Sequence, residues 1–228
     1  SETICWDVIS QSQFRQPQWR AYVALFDFYR CKRAEEYPAL PRFANGIVEI
    51  PVSIPDDEAM VDRLGIIHPA RIGEIWQAIL SMTYRRGELF TVQLHPERDP
   101  FCADALASVL RQARKLSPPV WIATLSEIAQ WWREREKFTL DILPEGKDRY
   151  RVTANCSERA TLLFKKCQVD APVTQWSDDY RTVTSRNFVV TSAVCPVIGV
   201  APDASPSAVD FLLNEGFVVE RSSEADKY

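Results

Sequence analysis

The chain has little histidine and little glycine: two histidines and seven glycines in 228 residues. It has no Gly-rich phosphate loop, no G-x-S-x-G elbow and no H-E-x-x-H, so the common nucleotide-binding, serine-hydrolase and zinc-protease signatures are excluded. No apolar run reaches eighteen residues, which excludes a sequence-evident membrane-spanning helix. The net charge of −4 carries no basic excess, so neither a nucleic-acid footprint nor a basic membrane patch is expected. There is no basic, apolar leader, and the opening SETICWDVIS lacks an initiator Met, which points to a processed or excised piece of something longer.

Six cysteines are present, Cys5, Cys31, Cys102, Cys156, Cys167 and Cys195, with no C-x-x-C pair and no zinc spacing. They read as small hydrophobes in a reducing, cytoplasm-like compartment, with a Cys156–Cys167 disulfide left open. A hydrophobic content of 46% is enough to bury a real core.

The organisation is alternating in the first part. Residues 12–32 are helical, with Pro17 early and Trp19, Tyr22, Val23, Phe26 and Tyr29 on one face. Asn45-Gly46 launches a strand over Ile47–Ile54, with an edge or bulge at Pro51. His68-Pro69 opens an amphipathic helix that Gly87 closes, and His68 is expected to make a capping hydrogen bond. Phe90 to His95 alternates apolar and polar, which predicts a strand ending in histidine. A helix near 102–116, a buried strand over Val120–Ala123 and a helix capped by Thr124 and Glu127 follow. Strand–helix alternation over 47–136 means parallel strands with crossover helices, too few to close a barrel. From 138 onward the pattern is β-rich, with a hairpin at FTLDIL-PEGKD-RYRVTAN and one helix at Ser205–Asn214. The expected domains are therefore 1–137 and 138–228.

His95 is the leading candidate for chemistry. A histidine at the C-terminal end of a strand, behind Thr91 and Gln93 on one polar face, suits acid–base work near neutral pH. Glu49, Glu97 and Arg98 are its candidate neighbours. His68 ranks far lower. Asp56, Asp57 and Glu58 are expected to be solvated loop carboxylates rather than a cation site. Trp131-Trp132 offers a sugar-stacking surface, with core packing the plainer expectation. A glycosidase using Glu49 and Glu97 has no support in their spacing.

PRFANGIVEIPVSIPDD, GELFTVQLHPER and PVWIATLSEIAQWWRER together resemble the C-terminal half of a polysaccharide deacetylase of the NodB-homology class, over roughly residues 1–137. The resemblance implies an α/β fold, a partial irregular (β/α) barrel followed by a β-rich domain. It implies that His95 is the general acid, with Leu94 lining an acetyl pocket that Gln93 and Glu49 would share. The family's Asp-Asp strand and His-x-x-x-His pair, which supply the catalytic base and bind a divalent metal, usually zinc, do not occur in this chain. No cofactor is therefore assigned to these residues themselves. The implied partners are an N-acetylated glycan, and the rest of the barrel or a second copy. The alternative is a non-catalytic glycan-binding or assembly module on the same fold.

Overall fold

The computed structural model describes residues 2–165, 167–176, 180–192, 197–201 and 204–221. It is a mixed helix–strand protein whose sheets, among the described residues, are small and open. The chain divides into two compact units. Among the described residues, one holds 2–122 with Ala201 and Arg221, and the other those within 123–200 and 204–220.

The first unit is built from β1 (Thr3–Cys5), α1 (Gln16–Phe28), β2 (Lys32–Arg33), β3 (Arg42–Ala44), β4 (Ile47–Glu49), β5 (Val52–Ile54), α2 (Pro69–Arg86) and α3 (Asp99–Ala113). The run 47–54 is two strands rather than one. β4 pairs antiparallel with β3 around Asn45 and Gly46, both at positive φ. Pro51, which has no N–H to give, separates it from β5, and β5 pairs parallel with β1. With β2 on the other side of β1, this makes a three-stranded parallel sheet.

The two expected strands downstream join no ladder. Phe90 to His95 instead runs extended beside β5. The Ser53 N–H donates to the Thr91 carbonyl at 3.1 Å, but the Thr91 N–H turns to the Ser53 hydroxyl, so a side chain interrupts the backbone pairing. Val120–Ala123 is likewise no buried strand: Trp121 and Ile122 are exposed, and the preceding Pro118 and Pro119 have no ladder donors.

Apolar spacing predicts the helices better. Ile72, Ile75, Trp76 and Ile79 of α2 are buried, as are Cys102, Val109 and Ala113 of α3. Gly87 ends α2 in the left-handed region, at φ 67°, where a side chain would be strained. His68 departs from expectation. It occupies the N-cap position but its side chain makes no capping bond; its carbonyl accepts from Arg71 and Ile72 instead.

Cys5 and Cys31 form a disulfide that ties β1 to the start of β2. This corrects the expectation of reduced cysteines, and it does not favour the cytoplasm. Cys156 and Cys167 are free thiols, as is buried Cys102, while Cys195 lies outside the described residues. Among the described residues no helix is long and apolar enough to cross a membrane.

The second unit begins with α4 (Leu125–Glu136), which the sequence pattern assigns to the first domain. Its Thr124–Glu127 capping box is present as expected. Glu134 of α4 accepts from Ser157 and pairs with Arg159, which explains why the helix belongs to this unit. There follow β6 (Thr139–Gly146), β7 (Arg149–Asn155), β8 (Leu162–Lys165), β9 (Gln168–Asp170), β10 (Val173–Gln175), β11 (Tyr180–Val183), β12 (Asn187–Thr191), β13 (Val197–Val200), α5 (Pro206–Asn214) and β14 (Val218–Arg221). The expected hairpin is β6–β7. One antiparallel sheet has the order β6-β7-β12-β9 and a second β10-β11-β8, while β13 and β14 form a small pair. Val152, Val183, Phe188 and Val190 make the core of this unit.

Candidate functional site

β5 ends at Ile54, and the chain turns through Pro55, Asp56 and Asp57 into a wide turn, Ala59–Arg63. This corner is held from below by α2, where the Trp76 indole N–H donates to the Pro55 carbonyl at 3.1 Å in a fully buried position. Asp56 Oδ1 accepts the Ala59 N–H at 2.9 Å, as an N-terminal capping carboxylate does.

His95 arrives at the same corner on the extended run beside β5. Ser53 and Thr91 are bonded across an offset of 38 residues, and Asp57 and His95 across the same offset. The two runs therefore travel together, and their ends meet. The His95 backbone N–H donates to Asp57 Oδ2 at 2.5 Å, and the ring Nδ1 lies 2.8 Å from Asp57 Oδ1. Oδ1 also accepts the Glu58 N–H at 2.8 Å. Three donors thus surround a carboxylate that is 0% exposed, which is how a buried charge is tolerated.

Because an ionised carboxylate only accepts, Asp57 fixes the proton on Nδ1 and leaves Nε2 as the exchanging nitrogen. The His95 side chain is 32% exposed, so the ring is gripped on one edge and open on the other. The Asp57 hydrogen bond raises the His95 pKa against a smaller opposing effect of desolvation. Burial raises Asp56 as well, reinforced by the charge of Asp57.

The loop after His95 carries Arg98, which pairs with Asp62 and, at 3.0 Å, with Glu97. Its hydrogen bond holds the Asp62 carboxyl below the usual range. Arg63 joins Glu58 at 2.8 Å and lies over the Phe28 ring at 3.5 Å, tying the wide turn to α1. Cys102, the nearby thiol, is pushed up to about 11 by burial and by the charge of Asp57, so it is protonated at neutral pH and no nucleophile.

Of the residues expected at the site, Gln93 and Leu94 lie beside His95 in the chain and are exposed. Glu49 is engaged elsewhere, by Arg42 at 3.3 Å in the β3–β4 hairpin. The carboxylate at His95 is Asp57. This overturns its reading as a solvated loop acid, since Asp56 and Asp57 are both buried. Their position just past β5 is the sequence signal that marks them; that they lie level with His95 is set by the tertiary structure. Trp131 and Trp132 are half-buried, with the Arg159 guanidinium 5.1 Å and the Arg135 guanidinium 4.3 Å from their respective ring centroids.

Both Asp57 oxygens and His95 Nδ1 are engaged in hydrogen bonds, and Asp56 caps a turn, which leaves His95 Nε2 as the open ligand atom of the Asp57–His95 pair. Among the described residues no group of three or more His, Cys, Asp or Glu is placed to hold an ion. What the arrangement can do is move a proton at Nε2: a neutral ring accepts one, and a protonated ring, favoured by Asp57, donates one. No family model, curated protein or solved structure matches the chain.

Proposed function

We propose that this chain is the C-terminal part of a carbohydrate N-deacetylase-like hydrolase, with His95 as its general acid and Asp57 as the group that orients and charges it. The observation that carries the reading is the double attachment of His95 to a fully buried Asp57, with the outer edge of the ring open to solvent. In this reading the parallel sheet and the extended run beside it are part of an irregular (β/α) barrel, and the two run-ends form part of its mouth. Nε2 delivers a proton to the nitrogen that leaves as the amide C–N bond breaks. Leu94 and Gln93, next to the ring, meet the acetamido group. Activation of water is a separate task that no described residue is placed to perform, so turnover requires groups from the rest of a barrel or from a partner copy.

The test is an NMR titration of the full chain with an N-acetylglucosamine hexamer, alongside an acetate assay. The His95 ring and Leu94 methyl signals are expected to shift, while acetate stays at the level of a protein-free control. A His95 ring that does not move at millimolar oligosaccharide overturns the assignment of the site. Acetate release by the chain alone overturns the division of labour.

A further inference from the structure

The parallel sheet of the first unit has the order β2-β1-β5, so β1 is its middle strand, with neighbours on opposite sides. The chain leaves β1 for β2 through α1 and returns to the other side of β1 at β5. In an open parallel sheet such a reversal leaves a crevice outside the carboxyl ends of the strands, and ligands bind there. The pairing reaches that end, since the Trp6 N–H donates to the Ile54 carbonyl at 2.9 Å. Asp7 is the next residue. A cleft of about 450 Å³ opens beside it, lined by Asp7, Val8, Ile9, Ser10, Gln13 and Trp19.

Asp7 is the one charged residue of this lining. Its Oδ1 accepts the Tyr22 hydroxyl at 3.1 Å. Burial, reinforced by the charge of Asp7, pushes the Tyr22 phenol well above its ordinary range. The proton therefore stays on the tyrosine, and the bond holds the carboxylate in place. Asp7 is exposed, and among the described residues no Lys, Arg or His pairs with it. The other polar groups of the rim are engaged with one another. Gln13 Oε1 accepts the Ser10 N–H at 3.0 Å, the Ser10 carbonyl accepts the Gln13 N–H at 3.0 Å, and the Ser10 and Ser12 hydroxyls share a hydrogen bond at 2.9 Å. Buried Ile9 and half-buried Trp19 supply the apolar wall. The cleft thus offers one uncompensated negative charge, with Asp7 Oδ2 as its open acceptor, on a rim already closed by its own hydrogen bonds.

We propose that this cleft binds a small organic ligand carrying a protonated amine, with Asp7 as its counter-ion and Trp19 as the wall for its carbon frame. An ammonium donates hydrogen bonds and accepts none, and a bond between two charged groups is about twice as strong as a neutral one. The same cation is attracted to the face of an indole. An anion meets the charge of Asp7 with nothing in the lining to offset it. A bare hard metal ion takes about six to eight oxygens. Here it finds a single carboxylate, because the Ser10 and Gln13 side-chain oxygens are engaged. A neutral polyol can hydrogen-bond to Asp7 but leaves its charge uncompensated. The volume falls within the roughly 300–1,000 Å³ of small-molecule sites, which suits a small amine rather than a protein segment. The amine site stands on Asp7 and its cleft and is separate from the deacetylase reading of His95.

Cyclohexylamine and cyclohexanol test it, because they share a carbon frame and differ in charge at pH 7. The Trp19 indole N–H signal of the full chain, assigned by its loss in Trp19→Phe, is expected to shift with saturation at millimolar amine. The alcohol is expected to bind about tenfold more weakly. Asp7→Asn keeps an oxygen for the Tyr22 hydroxyl but has no charge, and it should remove the preference for the amine. Glu35→Gln, which takes one exposed carboxylate from elsewhere, should leave the preference intact. Equal affinity for the two ligands, or an indole signal that stays still at tens of millimolar amine, overturns the site. So does a folded Asp7→Asn protein that still prefers the amine, or a Glu35→Gln protein that has lost the preference. Should Asp7→Asn not fold, Gln13→Glu decides: it keeps the acceptor for the Ser10 N–H, adds a second negative charge to the rim and should tighten the amine about threefold or more. An unchanged amine affinity in that variant overturns the role of charge in the cleft.

Discussion

Asp57 holds His95 at two points, the backbone N–H through Oδ2 at 2.5 Å and the ring Nδ1 through Oδ1 at 2.8 Å. One contact fixes where the residue sits, and the other fixes how its ring is turned and where its proton lies. Together they leave the ring a single exchanging nitrogen.

The pair makes the titration of His95 a direct readout of Asp57. The folded pKa of His95 is raised above its ordinary value near 6.5. The stability gained from the pairing is therefore fully present below about 6.5 and is lost as pH rises through the folded value. Asp57→Asn should bring the His95 midpoint down and remove that dependence. Ring-proton NMR between pH 5 and 9 measures both midpoints; an unchanged midpoint in a folded Asp57→Asn protein would show that the pair does not set the charge.

Asp56 responds in the opposite sense to an ordinary paired carboxylate. Burial raises its folded pKa, so the folded state binds its proton at higher pH than the unfolded chain, and ionisation costs stability as pH rises through that value. Asp56→Asn keeps an oxygen that can accept the Ala59 N–H. It should stabilise the protein at pH 7, with the advantage fading in acid below the ordinary carboxylate range. Chemical denaturation of both proteins at pH 7 and pH 3 gives the comparison.

The corner should depend on Trp76. Trp76→Phe leaves the Pro55 carbonyl without its buried donor and opens space beneath the loop. A loss of about 2 kcal/mol or more is expected. Urea unfolding measures it, and the His95 titration in the same variant should broaden or shift. A variant as stable as the parent would mean that the loop is not held from below.

The disulfide closes a loop with a sequence separation of 26. Its loss should cost about 3 kcal/mol. Cys5→Ser and Cys31→Ser should each lower the melting temperature to the same degree as reduction of the parent protein. Peptide mapping without reductant should recover Cys5 joined to Cys31, and Cys102 should resist alkylation in the native state because it is buried. Alkylation of Cys5 in the untreated protein would refute the bridge.

The helices were legible because their cause is local. Apolar residues every three or four positions, Gly87 at a left-handed cap and Thr124 with Glu127 at an N-terminus each act within a turn or two. The β6–β7 hairpin was legible for the same reason, with its turn chemistry written next to its strands. The pairing of the extended runs was not. Phe90–His95 and Val120–Ala123 have strand-like composition, yet whether such a run joins a ladder depends on a neighbour's donors, and those lie some forty residues away or behind prolines. Pro51 marks a break in 47–54, but nothing in its spacing says that the two halves pair with different strands in opposite senses.

The sequence by itself determined that His95 ends a polar-faced extended run and that acids cluster after β5. It could not determine that those acids are buried or that one of them meets the histidine. Burial and contact between Asp57 and His95 arise only when two runs, 38 residues apart, lie side by side and end at the same level. Tertiary structure likewise chose Cys31 as the partner of Cys5. Each of these is a distance between segments, and chain spacing alone carries no information about such a distance until packing has set the register.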